Sequence, residues 1–149
     1  PEDTTTYSIC EHKALLWGRA KEVEQLAVVE AFASNTVVTS VEMVNALVSD
    51  SLAQAWGRVL WANCVMTALN LESNAISTVG IEALAEGLRS NNTLRELKLA
   101  NQAGNFTQAA EESLAAALED NHTLTRLTID LRSTLARAHI DKYLLRNQD

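Results

Sequence analysis

The sequence is short of proline, glycine, cysteine and aromatic residues, and it contains no long apolar run. One proline and five glycines among 149 residues, with no low-complexity segment, are typical of a single globular domain that buries its own core. No apolar stretch approaches the roughly 18 residues of a membrane-spanning helix. Basic side chains are in the minority, since the formal net charge is −7, and this argues against nucleic acid as a partner.

Catalytic and metal-binding signatures are missing as well. The sequence has no phosphate-binding loop, no metal-ligand cluster and no Gly-x-Ser-x-Gly turn, so we expect no enzyme active site, no cofactor and no metal. Cys10 and Cys64 lack a disulfide or metal spacing, and we interpret them as free thiols in a reducing, cytoplasmic compartment, with Cys64 in a small, buried position. The catalytic alternative is Cys10 as a nucleophile with His12 as its base, which a Cys10→Ala variant would test.

What the sequence does contain is a repeat. In four places an asparagine is followed by apolar residues three, six and eight positions later, and these asparagines are 28, 28 and 30 residues apart. They are Asn35, Asn63, Asn91 and Asn121. Seven and three residues before each asparagine lies another apolar residue, and eight residues before it lies a small one. A period of this length indicates stacked supersecondary units that bury their apolar faces against one another.

Within each unit the pattern changes from helical to strand-like at the asparagine. Apolar residues four apart, with a small neighbour, make one face of a helix, and the offsets of six and eight show the alternation of a short strand. We predict helices at 21–33, 50–62, 79–90, 108–120 and 135–146. The predicted strands lie at 39–44, 67–72, 95–100 and 125–130, with a weaker first strand near 13–17. Residues 1–12 are expected to be a polar lead-in segment to a repeat domain at 13–149, which the helix at 135–146 caps.

One unit carries the leucine-rich repeat pattern in full. Residues 69–76 read LNLESNAI and are followed by Gly80, Leu84 and Leu88. The predicted fold class is therefore α/β: a leucine-rich repeat solenoid, a right-handed β-α superhelix of about five strand-helix units, with parallel strands on the concave face and helices outside. The strand side chains expected to line that concave face are Ser40, Glu42, Val44, Ala68, Asn70, Glu72, Glu96, Lys98, Ala100, Arg126, Thr128 and Asp130.

The distribution of charge indicates where a partner would bind. Residues 1–125 hold seven basic and 16 acidic side chains, whereas residues 126–149 hold five basic and three acidic ones. The last repeat is thus a candidate docking site for an acidic partner, with a solvated helix face as the alternative reading. Its basic residues are Arg126, Arg132, Arg137, Lys142 and Arg146.

Further candidates lie elsewhere in the repeats. Glu72 and Lys98 belong to the concave strip. Phe106 lies in a polar loop with two extra residues, where it either contacts a partner or packs beneath its own loop. Trp61 falls outside the core register of its helix, and Trp17 ends the weak first strand. Each tryptophan is either a partner contact or packing at the end of an element.

Residues 69–102 read LNLESNAISTVGIEALAEGLRSNNTLRELKLANQ, and this block resembles the leucine-rich domain of tropomodulins and leiomodins. The shared stretches are Leu69–Ile76, Gly80–Leu88, Asn91–Leu97 and Asn101-Gln102. Weaker similarity covers about residues 13 to 149. The chain departs from the family in lacking a Gly-Pro after the last strand, where it has Leu131 to Thr134, and in lacking a strongly basic C-terminus.

The resemblance implies a non-enzymatic protein–protein interaction module that binds actin at the pointed, slow-growing ends of filaments and is associated with the cytoskeleton. In that family the leucine-rich domain supplies one actin-binding surface, and segments upstream supply another. The alternative is an adaptor or structural subunit of a larger protein assembly that uses the same fold without binding actin. Neither reading involves nucleic acid or insertion into a membrane.

Overall fold

A five-stranded parallel sheet, with helices connecting its strands, forms the body of the protein. The computed structural model describes residues 5–9 and 12–149, with side chains described at residues 5–9 and from residue 16 onward. Its strands are β1 (Thr6–Ser8), β2 (Ser40–Glu42), β3 (Ala68–Asn70), β4 (Glu96–Lys98) and β5 (Arg126–Thr128). Its helices are α1 (His12–Arg19), α2 (Glu22–Ala31), α3 (Asp50–Ala62), α4 (Thr78–Ser90), α5 (Gln108–Asp120) and α6 (Thr134–Asn147).

The strands pair in chain order, β1-β2-β3-β4-β5, and every pairing is parallel. Each unit therefore adds one strand beside the strand of the unit before it, which confirms the predicted α/β solenoid. Side chains alternate along each strand as expected: Val41, Leu69 and Leu97 are fully or almost fully buried. The residues on either side of them in the strands are more accessible and face the concave side.

The beginning of the chain differs from the prediction. The prediction of a strand near 13–17 is wrong, because α1 occupies His12–Arg19. A short apolar run does not distinguish a strand from a helix by its periodicity, and this run was too short for the helical period to show. The first strand, β1, instead lies within the polar segment 1–12 and pairs with β2.

The repeated asparagines bind successive units together. The side chain of Asn91 is buried, and its Nδ2 donates to the carbonyl oxygens of Leu60 at 2.8 Å and Asn63 at 3.3 Å in the preceding unit. Its Oδ1 accepts from two backbone N–H groups of the turn that follows. Asn63 and Asn121 make the same kind of bonds in their own units. One side chain thus satisfies the buried backbone groups where each helix turns into a strand.

A second set of amide side chains bridges the units where the strands end. The Nδ2 of Asn74 donates to the carbonyl oxygen of Met43 at 2.8 Å, and its Oδ1 accepts from backbone N–H groups of the preceding unit. Gln102 takes the same place one unit later and donates to Leu71. The residue just before each of these two amides has a positive φ: Ser73 (58°) precedes Asn74, and Asn101 (61°) precedes Gln102.

Glycines bring α3 and α4 unusually close together. A Cβ on Gly57 would lie 2.4 Å from the backbone oxygen of Ala83, and a Cβ on Gly87 would lie 2.3 Å from the oxygen of Gly57. No side chain fits at either position without moving the opposing backbone. The backbones of α3 and α4 are therefore in direct contact at these two glycines.

Helix α6 closes the C-terminal end of the stack. The Nη2 of Arg146 donates to the carbonyl oxygens of Leu118 at 3.0 Å and Asn121 at 2.7 Å. These are the acceptors that the asparagine of another repeat would use, because Asn121 itself bonds to Leu88 and Asn91 in the same way. The guanidinium of Arg146 therefore makes the hydrogen bonds that the asparagine of a further repeat would make.

Candidate partner-binding site

The concave face carries charged side chains at its C-terminal end. Arg126 on β5 is 78% exposed, and its Nη1 lies 3.8 Å from the Oε2 of Glu96 on β4. Lys98 lies two residues further along β4 and is half-buried. A groove of about 680 Å³ runs between β5 and α6 beside these side chains. Because an exposed ion pair of this length contributes little, Arg126 remains free to bind a partner.

Arg132 and Phe106 meet at the adjoining end of the sheet. The Nη2 of Arg132 donates to the Oδ1 of Asn105 at 3.0 Å, and its backbone N–H donates to the buried carboxylate of Glu111 at 2.6 Å. Phe106 is half-buried and packs against the core beneath its own loop. Both residues line a pocket of about 240 Å³. The loop is thereby held in place, with the guanidinium of Arg132 at its surface.

The basic residues of α6 do not form one patch. Arg137 and Lys142 are exposed, and the Nζ of Lys142 lies 5.7 Å from the ring centroid of Tyr143. Arg146 is half-buried, and its guanidinium is occupied by the backbone oxygens of the preceding unit. Sequence reasoning could not find this role, because it depends on where the end of α6 packs.

Trp61 occupies a different surface. It is 72% exposed at the end of α3, beside a groove of about 420 Å³ whose lining includes Gly57 and Gly87. The equivalent positions of α4 and α5 carry Arg89 and Glu119, both polar. Large exposed aromatic side chains are enriched at protein interfaces, so Trp61 is a second candidate contact. The groove beside it was not predicted, although the two glycines in successive helices were a signal for it.

Glu72 and Trp17 are held by the fold. Glu72 lies two residues after β3 and is half-buried, and its carbonyl oxygen accepts the backbone N–H of Asn45 at 3.1 Å. Trp17 is buried at 7% exposure, and its Nε1 donates to the carbonyl oxygen of Ala46 at 2.7 Å. Trp17 therefore packs at the end of the solenoid, which is one of the two readings that the sequence left open.

The structure describes one of the two cysteines. Cys64 is exposed and free, so the prediction that it is buried is wrong. The asparagine just before it takes the buried position of the turn. Cys10 lies outside the described residues, as does the side chain of His12, and the pair stays an untested alternative. Among the side chains that the structure describes, no group of three or more His, Cys, Asp or Glu residues could hold a metal ion.

Within residues 5–9 and 12–149, none of the helices is both long enough and apolar enough to cross a bilayer.

Tyr7 on β1 is partly buried against Phe32, with ring centroids 5.1 Å apart, and this burial raises the pKa of its phenol above the ordinary value.

The structure thus separates the predicted site residues into distinct surfaces. Arg126 and Lys98 lie together beside the groove between β5 and α6, and Arg132 and Phe106 lie together at the loop pocket. Trp61 lies on the helical side. The five basic residues of the last repeat therefore do not form a single patch. Arg126 lies at the end of the concave face, Arg132 at the loop pocket, Arg137 and Lys142 on the exposed face of α6, and Arg146 in the end cap.

Comparison with known proteins places this geometry in a family. Residues 19–149 match the family model of the TMOD/LMOD leucine-rich domain. Leiomodin-1 of Homo sapiens is 37% identical over 120 residues, which are 80% of this chain and 20% of leiomodin-1. Tropomodulin-4 of Homo sapiens is 32% identical over 120 residues, which are 80% of this chain and 35% of the relative. The chain therefore spans much less than half the length of these curated relatives.

Solved structures agree. The structure of leiomodin-1 actin-binding site 2 (ABS2) superposes with a TM-score of 0.88 at 31% identity, over 99% of this chain and 82% of that one. The tropomodulin C-terminal domain of Caenorhabditis elegans superposes with a TM-score of 0.82 at 25% identity, over 98% of this chain and 85% of that one. The chain belongs to the tropomodulin and leiomodin leucine-rich domain family.

Proposed function

We propose that this domain is a non-enzymatic actin-binding module that acts at the pointed ends of actin filaments. The observation that carries the proposal is the superposition on leiomodin-1 actin-binding site 2, which extends over 99% of the chain. A match of that extent means that nearly the whole chain shares the fold of that actin-binding site. The protein would accordingly be cytoplasmic and associated with the cytoskeleton.

We assign to actin the C-terminal end of the concave face, which carries Lys98 and Arg126, together with the adjoining loop at Arg132. Arg126 is exposed at this end of the face, and Arg132 is exposed at the loop, where its hydrogen bond to Asn105 fixes its direction. Lys98 adds a third positive charge on β4. The remaining body is strongly acidic, so these positive side chains are the region that an acidic protein such as actin would approach with the least repulsion.

The contribution of the domain to the activity of a longer protein is part of the same proposal. The matched segment is 20% of leiomodin-1 and 35% of tropomodulin-4, so other segments contribute to what those proteins do. A single module of this size buries a small interface and binds weakly. We therefore expect effects at micromolar concentrations of the isolated domain.

Elongation of pyrene-labelled actin from gelsolin-capped filaments, which grow only at their pointed ends, tests the proposal. We expect the domain to slow elongation in a dose-dependent manner, and the effect to weaken as the salt concentration rises. Elongation that is unchanged up to about 50 µM domain, a concentration that would reveal even weak binding, would reject actin as the partner and favour the adaptor alternative.

Variants locate the surface within the same assay. Arg126→Ala and Arg132→Ala should each reduce the inhibition, because each removes one exposed charge from the assigned surface. Arg19→Ala is the matched control, since Arg19 is an exposed arginine at the opposite end of the solenoid. Equal inhibition by all three variants would reject the assigned surface without affecting the proposal that the domain binds actin.

A further inference from the structure

One edge of the last strand has no strand beside it among residues 5–9 and 12–149. Within these residues, β5 is last in the strand order and pairs only with β4. The backbone N–H of Arg126 and the carbonyl oxygen of Thr128 point towards β4, where they bond to Arg95 and Leu99. Successive residues of a strand turn their backbone groups to opposite edges, so those of Leu127, and the N–H of Ile129, point outwards.

The end of α6 covers only the beginning of this edge. The Nε2 of Gln148 donates to the carbonyl oxygen of Thr125 at 3.2 Å, and the Nδ2 of Asn147 donates to that of Leu124 at 2.8 Å. Both contacts lie before β5 begins. The described residues make no further hydrogen bond to the outward edge from Leu127 onward, which lies beside the groove between β5 and α6.

The apolar side of the same edge is incompletely covered. In β4 and the residue after it, Leu97 and Leu99 are fully buried. Their counterparts one unit later, Leu127 and Ile129, are only half-buried, and Leu145 on α6 is 66% exposed nearby. A strand placed along β5 would cover this apolar surface, and an uncovered edge of this kind favours pairing with another chain.

The side chains of β5 and of the two residues that follow it, Ile129 and Asp130, are complementary to a second copy of the same segment. If two copies pair antiparallel, with Thr128 opposite the partner's Thr128, then Arg126 lies opposite the partner's Asp130. Both residues are exposed. The Nη1 of Arg126 lies 3.8 Å from Glu96, and only the Oδ2 of Asp130 is bonded within the copy, to the backbone N–H of Asn101 at 2.9 Å, so a partner's guanidinium would bind the Oδ1. The same register places Leu127 opposite the partner's Ile129. Opposite charges, paired threonines and paired apolar residues are the combinations that stabilise neighbouring strands.

The register also suits the backbone. Leu127 and Ile129 are the residues whose backbone groups face outwards, and this register sets them opposite each other. The N–H of Ile129 donates to the carbonyl oxygen of the partner's Leu127, and the two-fold axis repeats that bond. If the register shifted by one residue, the outward-facing backbone groups of one copy would lie opposite backbone groups of the other copy that are already bonded to β4.

We propose that β5 is an isologous dimerisation edge, at which two copies of this chain pair antiparallel about Thr128 and join their sheets. The Arg126–Asp130 pairs across the axis set the register. The contact involves one short strand from each copy, so the dimer is weak and forms in the range of tens to hundreds of micromolar.

Sedimentation velocity across about 5 µM to 1 mM protein measures this association. The mass of the wild-type chain should rise from 16.3 kDa towards twice that value and no further, since a two-fold contact closes. Arg126→Asp sets two carboxylates opposite each other across the axis, and Asp130→Arg sets two guanidinium groups opposite each other. We expect each variant alone to dimerise at least about tenfold more weakly, because like charges directly opposite destabilise strand pairing.

Mixing these two variants is the decisive step. In an equimolar mixture, a chain with Arg126→Asp can pair with a chain with Asp130→Arg, and both charge pairs across the axis are then complementary again. The mixture should therefore dimerise like the wild type, as should the double variant that carries both substitutions in one chain. Thermal melting checks that each variant is folded, since Asp130 also accepts the backbone N–H of Asn101.

Three outcomes overturn the proposal. A wild-type chain that stays monomeric to 1 mM has no dimerisation edge of this kind. Single variants that dimerise as the wild type does would place the contact elsewhere. Growth beyond the dimer would mean that the β5 edge of one copy pairs with the β1 edge of the next, which does not close.

Discussion

Asn91→Ala tests whether the asparagine series holds the units together. The wild-type side chain bonds to Leu60 and Asn63 through its Nδ2, and to two backbone N–H groups of the following turn through its Oδ1. Truncation to alanine leaves two carbonyl oxygens and two N–H groups of the backbone, most of them buried, without this hydrogen-bond partner. At about 1–3 kcal/mol for each buried group that stays unsatisfied, and with partial relief by relaxation and entering water, we expect a loss of about 3–5 kcal/mol. That is a large fraction of the stability of a typical domain.

Asn35 provides the matched control. It is the first member of the series and only half-buried, and the bonds that its side chain makes to the described residues are local, from the N–H groups of Val37 and Val38. Asn35→Ala should therefore cost about 1 kcal/mol. Urea unfolding, followed by circular dichroism and with the slope m compared between variants, measures both changes. Equal losses in the two variants would refute the argument, because the bonds between units would then contribute nothing.

Asn91→Asp removes the side-chain Nδ2, which donates hydrogen bonds, and keeps an oxygen in the place of Oδ1, which accepts them. The carboxylate keeps an oxygen for the two turn N–H groups but faces two carbonyl oxygens with its other oxygen. Burial and repulsion raise the pKa of the introduced carboxyl, because only the protonated form can donate to those carbonyls. The folded state then holds the proton more tightly than the unfolded state. The penalty is smallest at low pH and grows as the pH rises through the folded-state pKa, whereas a purely steric defect would be independent of pH.

The remaining predictions concern packing, capping and titration. Gly57→Ala places a Cβ 2.4 Å from a backbone oxygen of α4 and should cost about 2–3 kcal/mol in urea unfolding, whereas Gly18→Ala meets only the end of a flexible side chain at 3.2 Å and should change stability by less than about 1 kcal/mol. Arg146→Ala should cost about 2–3 kcal/mol, because it removes charge-assisted bonds that end the stack, and the exposed Arg137→Ala should stay within about 0.5 kcal/mol. The raised pKa of Tyr7 means that the unfolded phenol ionises first, so stability should fall as the pH rises above about 10; Tyr7→Phe should flatten this fall in a melting series.

The parts of the fold that depend on local chemistry were predictable from the sequence. An asparagine at the turn from helix to strand bonds to backbone groups two and three residues ahead, and this requirement recurs with every unit. The period therefore located the helices and strands within a few residues. The first strand was misplaced because Thr6 to Ser8 carry no repeat signature, and their pairing with β2 depends on contacts that are distant in sequence.

The surface was less predictable, because it depends on how elements meet. Arg146 was a candidate contact on the basis of its charge, yet packing of α6 turns its guanidinium inwards to backbone oxygens. Cys64 was expected to be buried, yet Asn63 takes the inner position of that turn and leaves the thiol in solvent. The groove beside Trp61 arises from backbone contact between two helices. None of these follows from the pattern within one unit.

Arg126 belongs to both proposed surfaces, and the variants of β5 distinguish the two roles. Arg126→Asp and Asp130→Arg both weaken the proposed dimer, but only the first removes the arginine. If Arg126 contacts actin directly, Arg126→Asp should lose pointed-end inhibition while Asp130→Arg keeps it, and mixing the two should restore only the share contributed by the Asp130→Arg chains. If actin binding requires the dimer, both variants should lose inhibition alone and regain it fully when mixed. The strand pairing and the actin contact therefore give opposite results in the same pair of samples.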